Sequence, residues 1–77
     1  MNVNLLNITI NMLDVLLRLY LHNKINLEDL KKHSDVKISF IIDHIDHLNS
    51  SAEKNYAYDI MKQYHLIISA TIKVDDI

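Results

Sequence analysis

Cysteine, glycine and proline are all absent from this 77-residue chain. Without cysteine, neither a disulfide nor a thiolate metal site can stabilise the fold. Without glycine and proline, helix C-caps and tight turns must use Asn, Asp or His, which tolerate a left-handed backbone better than most residues. A chain of this length forms one small domain, residues 1–77, which buries only about 60% of its unfolded surface. We therefore expect self-association to add stability.

Charge is also scarce. Only 23% of the residues are charged, the formal net charge is −2, and 49% are hydrophobic, which indicates a folded domain. A basic domain would indicate nucleic acid, and this balance gives no such support. No positive charge precedes the first apolar run, and the run at residues 12–21 is interrupted by Asp14 and Arg18 and is too short to span a bilayer. We expect a cytoplasmic protein without a membrane partner.

The first amphipathic pattern covers residues 9–22 and predicts a helix. Its polar side chains recur at spacings of three and four, in one narrow stripe made of Asn11, Asp14, Arg18 and His22. A helix that is apolar over the rest of its circumference must be covered on more than one side. The chain is too short to supply both covers, so we expect a homodimer. Its interface would contain Met12, Leu16, Leu19 and Tyr20. Residues 2–10 fit either a short strand or a frayed lead-in.

Two shorter helices, joined by a turn, are predicted next. Asn23 suits a left-handed cap after the first helix, and Asn26 suits the N-cap of a second helix over residues 27–33. The polar residues 34–37, SDVK, are predicted to form the turn. A third helix then runs to residue 48, with a buried face made of Val36, Ile41, Ile45 and Leu48.

The last part of the chain changes its period. Ser50 followed by Glu53 has capping-box spacing and predicts a fourth helix to residue 64. Its buried stripe would be Ala57, Ile60, Met61 and Tyr64, while Tyr56 and Tyr58 are assigned to an interface. Residues 66–75 alternate in polarity, which predicts a half-buried β-strand. Because one strand cannot stand alone, it would pair with the N-terminal segment, another subunit, or a strand across an unrecognised turn.

Residues 27–48, LEDLKKHSDVKISFIIDHIDHL, resemble the helix-turn-helix of winged-helix bacterial regulators of the MarR-like and BglG/Mga-like kinds. The residues that carry the resemblance are the leading Ile25, Leu27 and Leu30 and the row Val36, Ile41, Ile45 and Leu48. The tail YDIMKQYHLIIS is similar to the helix and strand that follow in BglG/Mga-like regulators, so the resemblance covers residues 12–69. It implies a mostly α, small winged helix-turn-helix-like domain of about four helices with a C-terminal β-strand.

The exposed side of this motif departs from the family. Lys31 stands where alanine is common, and Asp35 stands where the turn usually has glycine. The positions that would face a DNA groove contain no arginine, the residue that pairs bidentately with guanine. Nearby lysines could still contact phosphates. The candidate DNA- or partner-binding residues are Lys31, Lys32, Lys37, Ser39, Phe40, Asp43, His44 and His47.

Metal binding and catalysis find little support in the sequence. Asp43 and His47, in DHIDH, have the spacing of two ligands on one helix face, but a closed zinc site needs two more and no second spaced pair is present. We therefore expect solvated His–Asp pairs, with no metal and no other cofactor. The chain has no phosphate-binding glycine loop, no cysteine nucleophile and no serine placed beside an evident base, so an enzyme is not expected.

Two functional classes remain open. The first is a small dimeric transcriptional regulator that binds DNA. The second is an inhibitor or adaptor that uses the same frame to engage a host protein without binding DNA. Ile and Asn are abundant and Ala is scarce, a bias typical of AT-rich coding DNA. This composition favours a low-GC bacterium, or its phage or plasmid, as the source.

Overall fold

In a computed structural model of the protein, the described residues form three α-helices: α1 (Val3–Leu21), α2 (Leu27–His44) and α3 (Ser51–Asp75). One 3₁₀ turn, Ile45–His47, follows α2 directly. The structure describes the backbone of residues 3–75 and the side chains of residues 3–71. Leu5 and Phe40 line one depression between the first two helices, and Leu16 and His33 line a second one. The helices α1 and α2 therefore form an antiparallel hairpin.

Asparagine and serine cap the helices at the predicted positions. The Asp29 backbone N–H donates to Asn26 Oδ1 over 2.8 Å, and the Glu53 N–H donates to Ser50 Oγ over 3.3 Å. Asn23 has a φ of 62°, in the left-handed region that usually favours glycine. Its N–H donates to the Tyr20 carbonyl over 3.0 Å, and the Lys24 N–H donates to the Leu19 carbonyl over 2.8 Å. This is a Schellman motif. All three predicted caps are confirmed.

A single core runs between the helices. Its buried hydrophobic side chains are Leu6, Ile10, Leu13, Leu17, Leu30, Ile38, Ile41, Ile45, Leu48, Ala57, Ile60, Met61 and Tyr64. The predicted buried stripe of the last helix is confirmed in full. The phenol Oη of Tyr64 donates to Asp35 Oδ1 over 2.9 Å and ties α3 to α2. Burial, followed by this hydrogen bond, raises the pKa of Tyr64 to about 12, so the phenol stays protonated.

The expected fold class, a winged helix-turn-helix-like domain of four helices and a strand, is wrong. Residues 34–37 are not a turn but the middle of α2, which merges the predicted second and third helices. The cause is the core-facing row Leu30, Ser34 and Ile38, whose spacing of four keeps one helix face buried without a break. Val36, predicted to be buried, is 75% exposed, and Ile38 lies in the core instead.

The C-terminal strand is also wrong, because α3 continues through residues 66–75. No strand forms anywhere in residues 3–75. The residues that alternate in polarity also have helical spacing. The buried or half-buried side chains Tyr64, Ile67, Ile68 and Thr71 continue the stripe of α3. Thr71 Oγ1 donates to the Ile67 carbonyl over 3.0 Å, a bond between residues one helical turn apart. The predicted helix ended at Tyr64 and the predicted strand began at Leu66, but no proline or glycine stands between them to end the helix. Tertiary packing and helix continuity override the β-propensity of the isoleucines.

The N-terminal segment is helical as well. From Val3 onward, the residues considered for a strand or a frayed lead-in belong to α1, and Asn2 lies outside the described residues. Leu6 is fully buried and starts the row that continues at Ile10 and Leu13. The spacing of three and four thus extends further towards the N-terminus than predicted, which gives α1 a length of 19 residues.

Candidate interaction surface

The helix α1 has two apolar faces, and only one of them is covered. Leu6, Ile10, Leu13 and Leu17 are buried in the core. A second row, which we call the exposed α1 stripe, consists of Leu5, Ile8, Met12, Val15 and Leu19, with 36% to 53% of each residue exposed. Its spacings of three, four, three and four follow the a and d positions of a heptad, the pattern by which one helix packs along another.

A shallow groove continues the exposed α1 stripe towards α2. This α1–α2 groove has a volume of about 300 Å³ and is lined by Leu5, Thr9, Met12, Val36, Lys37 and Phe40. A second depression of about 400 Å³ adjoins it and is lined by Met12, Val15, Leu16, Ile25, His33 and Lys37. Both depressions share Met12 and Lys37, so the two helices present one connected surface.

Lys37 places one positive charge beside this surface. Its Nζ donates to the His33 backbone carbonyl over 3.2 Å, so the ammonium group is held against its own helix. The side chain is half-buried. Its methylene groups can cover apolar neighbours while the charged end stays hydrated. The groove is therefore chiefly apolar, with one cation beside it.

The third side of α1 is polar and is used within the chain. The phenol Oη of Tyr56 donates to Asp14 Oδ2 over 3.0 Å and to Asn11 Oδ1 over 3.4 Å, and Arg18 Nε pairs with Asp14 Oδ1 over 3.3 Å. Desolvation, followed by the hydrogen bond to Asp14, raises the pKa of Tyr56. These contacts place the polar stripe of α1 beside α3. The exposed α1 stripe contains no charged residue.

A small group of rings lies at the C-terminal end of α2. Phe40 and His44 have ring centroids 4.6 Å apart, and His44 and His47 have centroids 5.7 Å apart. Asp43 is exposed. Because α2 ends at His44, Asp43 and His47 do not share a regular helix face. Among the residues with described side chains, no group of three or more His, Asp or Glu residues is arranged to hold a metal ion.

The candidate DNA- or partner-binding residues do not lie on one face. Lys37, Phe40, His44 and His47 follow one side, joined by the groove and the ring contacts. Lys31 is exposed, and at 100° per residue it lies about 180° around α2 from Phe40. Lys32 and Ser39 are exposed elsewhere on the helix. DNA binding stays a prediction, without the separate recognition helix on which it was based.

The predicted dimer interface falls partly on the exposed α1 stripe. Met12 and Leu19 belong to it, whereas Leu16 and Tyr20 are half-buried and pack against the core. Leu5, Ile8 and Val15 complete the exposed α1 stripe and were not among the predicted residues, and the dimer itself stays a prediction. Leu5 and Ile8 lie in a segment that was not predicted to be helical. The signal that could have found all three is the heptad spacing of residues 5, 8, 12, 15 and 19.

The helix α1 is also long and apolar enough to cross a membrane, with a mean hydropathy of 1.2. It is longer than the apolar run at residues 12–21 because it begins at Val3. Core helices of soluble proteins and signal sequences share this composition, so length and hydropathy alone do not assign α1 to a bilayer. The cytoplasmic location stays a prediction.

Comparison of the chain with protein-family models, curated proteins and solved structures gave no match. The resemblance to winged-helix regulators therefore rests on the sequence pattern alone.

Proposed function

We propose that this protein is a small protein-binding module of the inhibitor or adaptor kind, which acts through the exposed α1 stripe and the adjoining α1–α2 groove. The observation that carries the proposal is the exposed α1 stripe itself. Five large apolar side chains with heptad spacing lie on one face of a helix whose opposite face already fills the core. Single exposed apolar residues are common on protein surfaces, but a connected patch with helical spacing is typical of a binding site.

The size of the patch supports the proposal. Burying the exposed half of a Leu, Ile, Met or Val side chain contributes about 1 kcal/mol, so the five together contribute on the order of 5 kcal/mol before the cost of association. Val36 and Phe40 add apolar area where the groove reaches α2. In the isolated chain this apolar area stays in contact with water, and a partner would remove it from water.

The two tyrosines with a raised pKa lie outside this surface and hold helices together. The two tyrosine–carboxylate pairs, Tyr64–Asp35 and Tyr56–Asp14, keep their phenol protons because both tyrosines have a raised pKa. Their geometry is that of hydrogen bonds between helices. Both pairs lie away from the α1–α2 groove, whose lining consists mainly of alkyl and aromatic carbon.

Site-specific photo-crosslinking in the native cells tests the proposal. A photoreactive residue at Ile8 should form adducts with a protein chain, and the substitution Val15→Glu should abolish them. Leu66 is 60% exposed on α3, so Leu66→Glu is the matched control and should leave the adducts unchanged. An absence of Ile8 adducts, or an equal loss in both variants, would contradict the proposal.

A further inference from the structure

The exposed α1 stripe and the α1–α2 groove form a surface along which one more helix can pack. The stripe runs from Leu5 to Leu19, about 21 Å at a rise of about 1.5 Å per residue, so a helix of about four turns covers it. An amphipathic helix whose apolar face lies in a groove is a common form of peptide recognition. Addition of an extended peptide to a sheet edge, another form, is not open to residues 3–75, which contain no strand. The shape of the surface therefore favours a helix as its occupant.

One charged group lies where the two depressions of this surface meet. Lys37 lines both of them, and no other Lys, Arg, Asp or Glu lines either one. Its Nζ donates to the His33 backbone carbonyl over 3.2 Å. An ammonium group has three N–H donors, so two remain for further acceptors. Among the described side chains, the one ion pair joins Asp14 to Arg18, so no carboxylate of the described chain pairs with Lys37.

A partner that covers Lys37 must also satisfy its charge. The side chain is half-buried in the chain alone, and a partner would remove more of the water around it. A charge that loses water without gaining a counter-charge opposes binding, and an apolar contact does not offset this cost. A carboxylate would accept from the two remaining N–H donors, in charge-assisted hydrogen bonds that are about twice as strong as neutral ones. Charge complementarity therefore requires an Asp or Glu of the partner opposite Lys37.

We propose that the occupant is an amphipathic helix of an unlike protein, about four turns long, with an Asp or Glu near the middle of its apolar face. Its apolar side chains cover the exposed α1 stripe, and its carboxylate pairs with Lys37. Because Lys37 lies between the two depressions, apolar residues of the partner helix stand on both sides of the acid. This inference rests on the proposed function, because it gives the chemistry of the partner that the surface binds.

A second copy of this chain does not offer that chemistry through the same stripe. The helix α1 contains one acidic residue, Asp14. Its carboxylate accepts a hydrogen bond from Tyr56 and pairs with Arg18 on the polar stripe, so it is not on the exposed α1 stripe. Two copies packed stripe against stripe would bring only apolar side chains towards Lys37. They would also cover the surface that an inhibitor or adaptor needs. The surface therefore favours an unlike partner.

Binding of three matched peptides tests this chemistry. Each is a fluorescein-labelled helix of about 15 residues with leucines at heptad spacing, and the residue at the middle of its apolar face is Glu, Gln or Lys. Fluorescence anisotropy measures the dissociation constants. The native protein should bind the Glu peptide at least about tenfold more tightly than the Lys peptide, with the Gln peptide between them. Val15→Glu should abolish binding of the Glu peptide, which would place the peptides on the exposed α1 stripe.

Charge reversal at Lys37 is the decisive change. Lys37→Glu should reverse the order, so that the Lys peptide binds more tightly than the Glu peptide, and Lys37→Gln should remove the preference. Lys31→Glu is the matched control, because it makes the same charge change at an exposed position on the far side of α2 and should leave the order unchanged. Circular dichroism checks the helicity of each variant, and Lys37→Gln decides the question if Lys37→Glu fails to fold.

The possible outcomes separate the inference from the proposed function. In the native cells, Lys37→Glu should abolish the Ile8 adducts, and Lys31→Glu should keep them. Equal affinities of the native protein for the three peptides, no binding of any peptide, or Ile8 adducts that persist in Lys37→Glu would overturn the inference and leave the proposed function standing. Ile8 adducts that contain only a second copy of this chain would overturn both. A native protein that forms no Ile8 adducts and binds phosphatidylcholine–phosphatidylglycerol vesicles instead would also overturn both.

Discussion

The covered and the exposed faces of α1 have nearly the same composition and the same spacing, and they differ only in what lies against them. The covered face, which includes Leu13 and Leu17, packs against α2 and α3. The exposed α1 stripe, which includes Met12 and Val15, has no element of the described chain over it. A helical wheel of α1 would assign both faces to a core. The comparison teaches that periodicity identifies a surface suited to packing, whereas the chain length decides how many such surfaces one chain can cover.

The largest difference in the free energy of unfolding should appear when one side chain on each face of α1 is shortened to alanine. Leu13→Ala should lower the free energy of unfolding by about 3 kcal/mol, because it leaves a cavity in the core. Met12→Ala should lower it by only about 1 kcal/mol in dilute protein, because half of Met12 is already exposed. Urea unfolding at nanomolar concentration measures both. Equal losses in the dilute protein would mean that the stripe is covered within one chain.

A second experiment tests the buried serine in the core that covers one face of α1. Ser34 is fully buried, and its Oγ has no hydrogen-bond partner in the described part of the chain. Ser34→Ala should therefore raise the free energy of unfolding by about 1 to 2 kcal/mol, since a buried, unpaired hydroxyl is removed and helix propensity improves. Ser39→Ala on the same helix is the control, because Ser39 is exposed and only propensity changes. If the two variants gained equally, the Ser34 hydroxyl would have to be satisfied in the native protein.

The smallest effect concerns the tyrosines that fasten α3. Tyr64→Phe should cost about 1 kcal/mol at neutral pH through the lost hydrogen bond to Asp35. The folded pKa of Tyr64 is about 12, against 10.0 for an ordinary tyrosine. Because the folded value is the higher one, the stabilisation is complete below pH 10 and is lost as the pH rises from 10 towards 12.

The measurement is the free energy of unfolding between pH 9 and about 11. The native protein should lose stability more steeply over this range than Tyr64→Phe does. Tyr56→Phe is the matched variant on the more exposed pair with Asp14 and should flatten the curve less. A Tyr64→Phe curve parallel to that of the native protein would argue against a raised pKa in the folded state.

The sequence was informative wherever structure is decided locally. The caps at Asn23, Asn26 and Ser50 depend on a few neighbouring residues, and each was predicted at its position. The stripe of α3 from Ala57 to Tyr64 followed from periodicity in the same way. On the candidate surface, the composition of α1 predicted a second cover. Of the four residues predicted for a dimer interface, Met12 and Leu19 lie on the exposed α1 stripe, and the dimer stays a prediction.

The errors arose where local signals and packing disagree. Ser34 and Asp35 favour a turn when only their neighbours in sequence are considered. In the fold, Ser34 belongs to the core-facing row of α2, and Asp35 accepts a hydrogen bond from Tyr64. Residues 66–75 satisfy two periods at once, and no residue type decides between them. A resemblance to a family with a turn and a strand favoured the wrong choice at both places. Only the packing of the helices decides these segments.

The three-sided use of α1 has a consequence for how the sequence can drift. Between Leu5 and Leu19, one side fills the core, one side holds Tyr56 through Asp14, and one side forms the exposed stripe. Few of these positions can change without a loss on one side. The outer positions of α2, such as Lys32 and Ser39, are free of such demands. We therefore expect α1 to tolerate fewer substitutions than α2 or α3, although one apolar side of α1 is exposed to solvent. Exposed positions usually vary freely, and those of α1 should not.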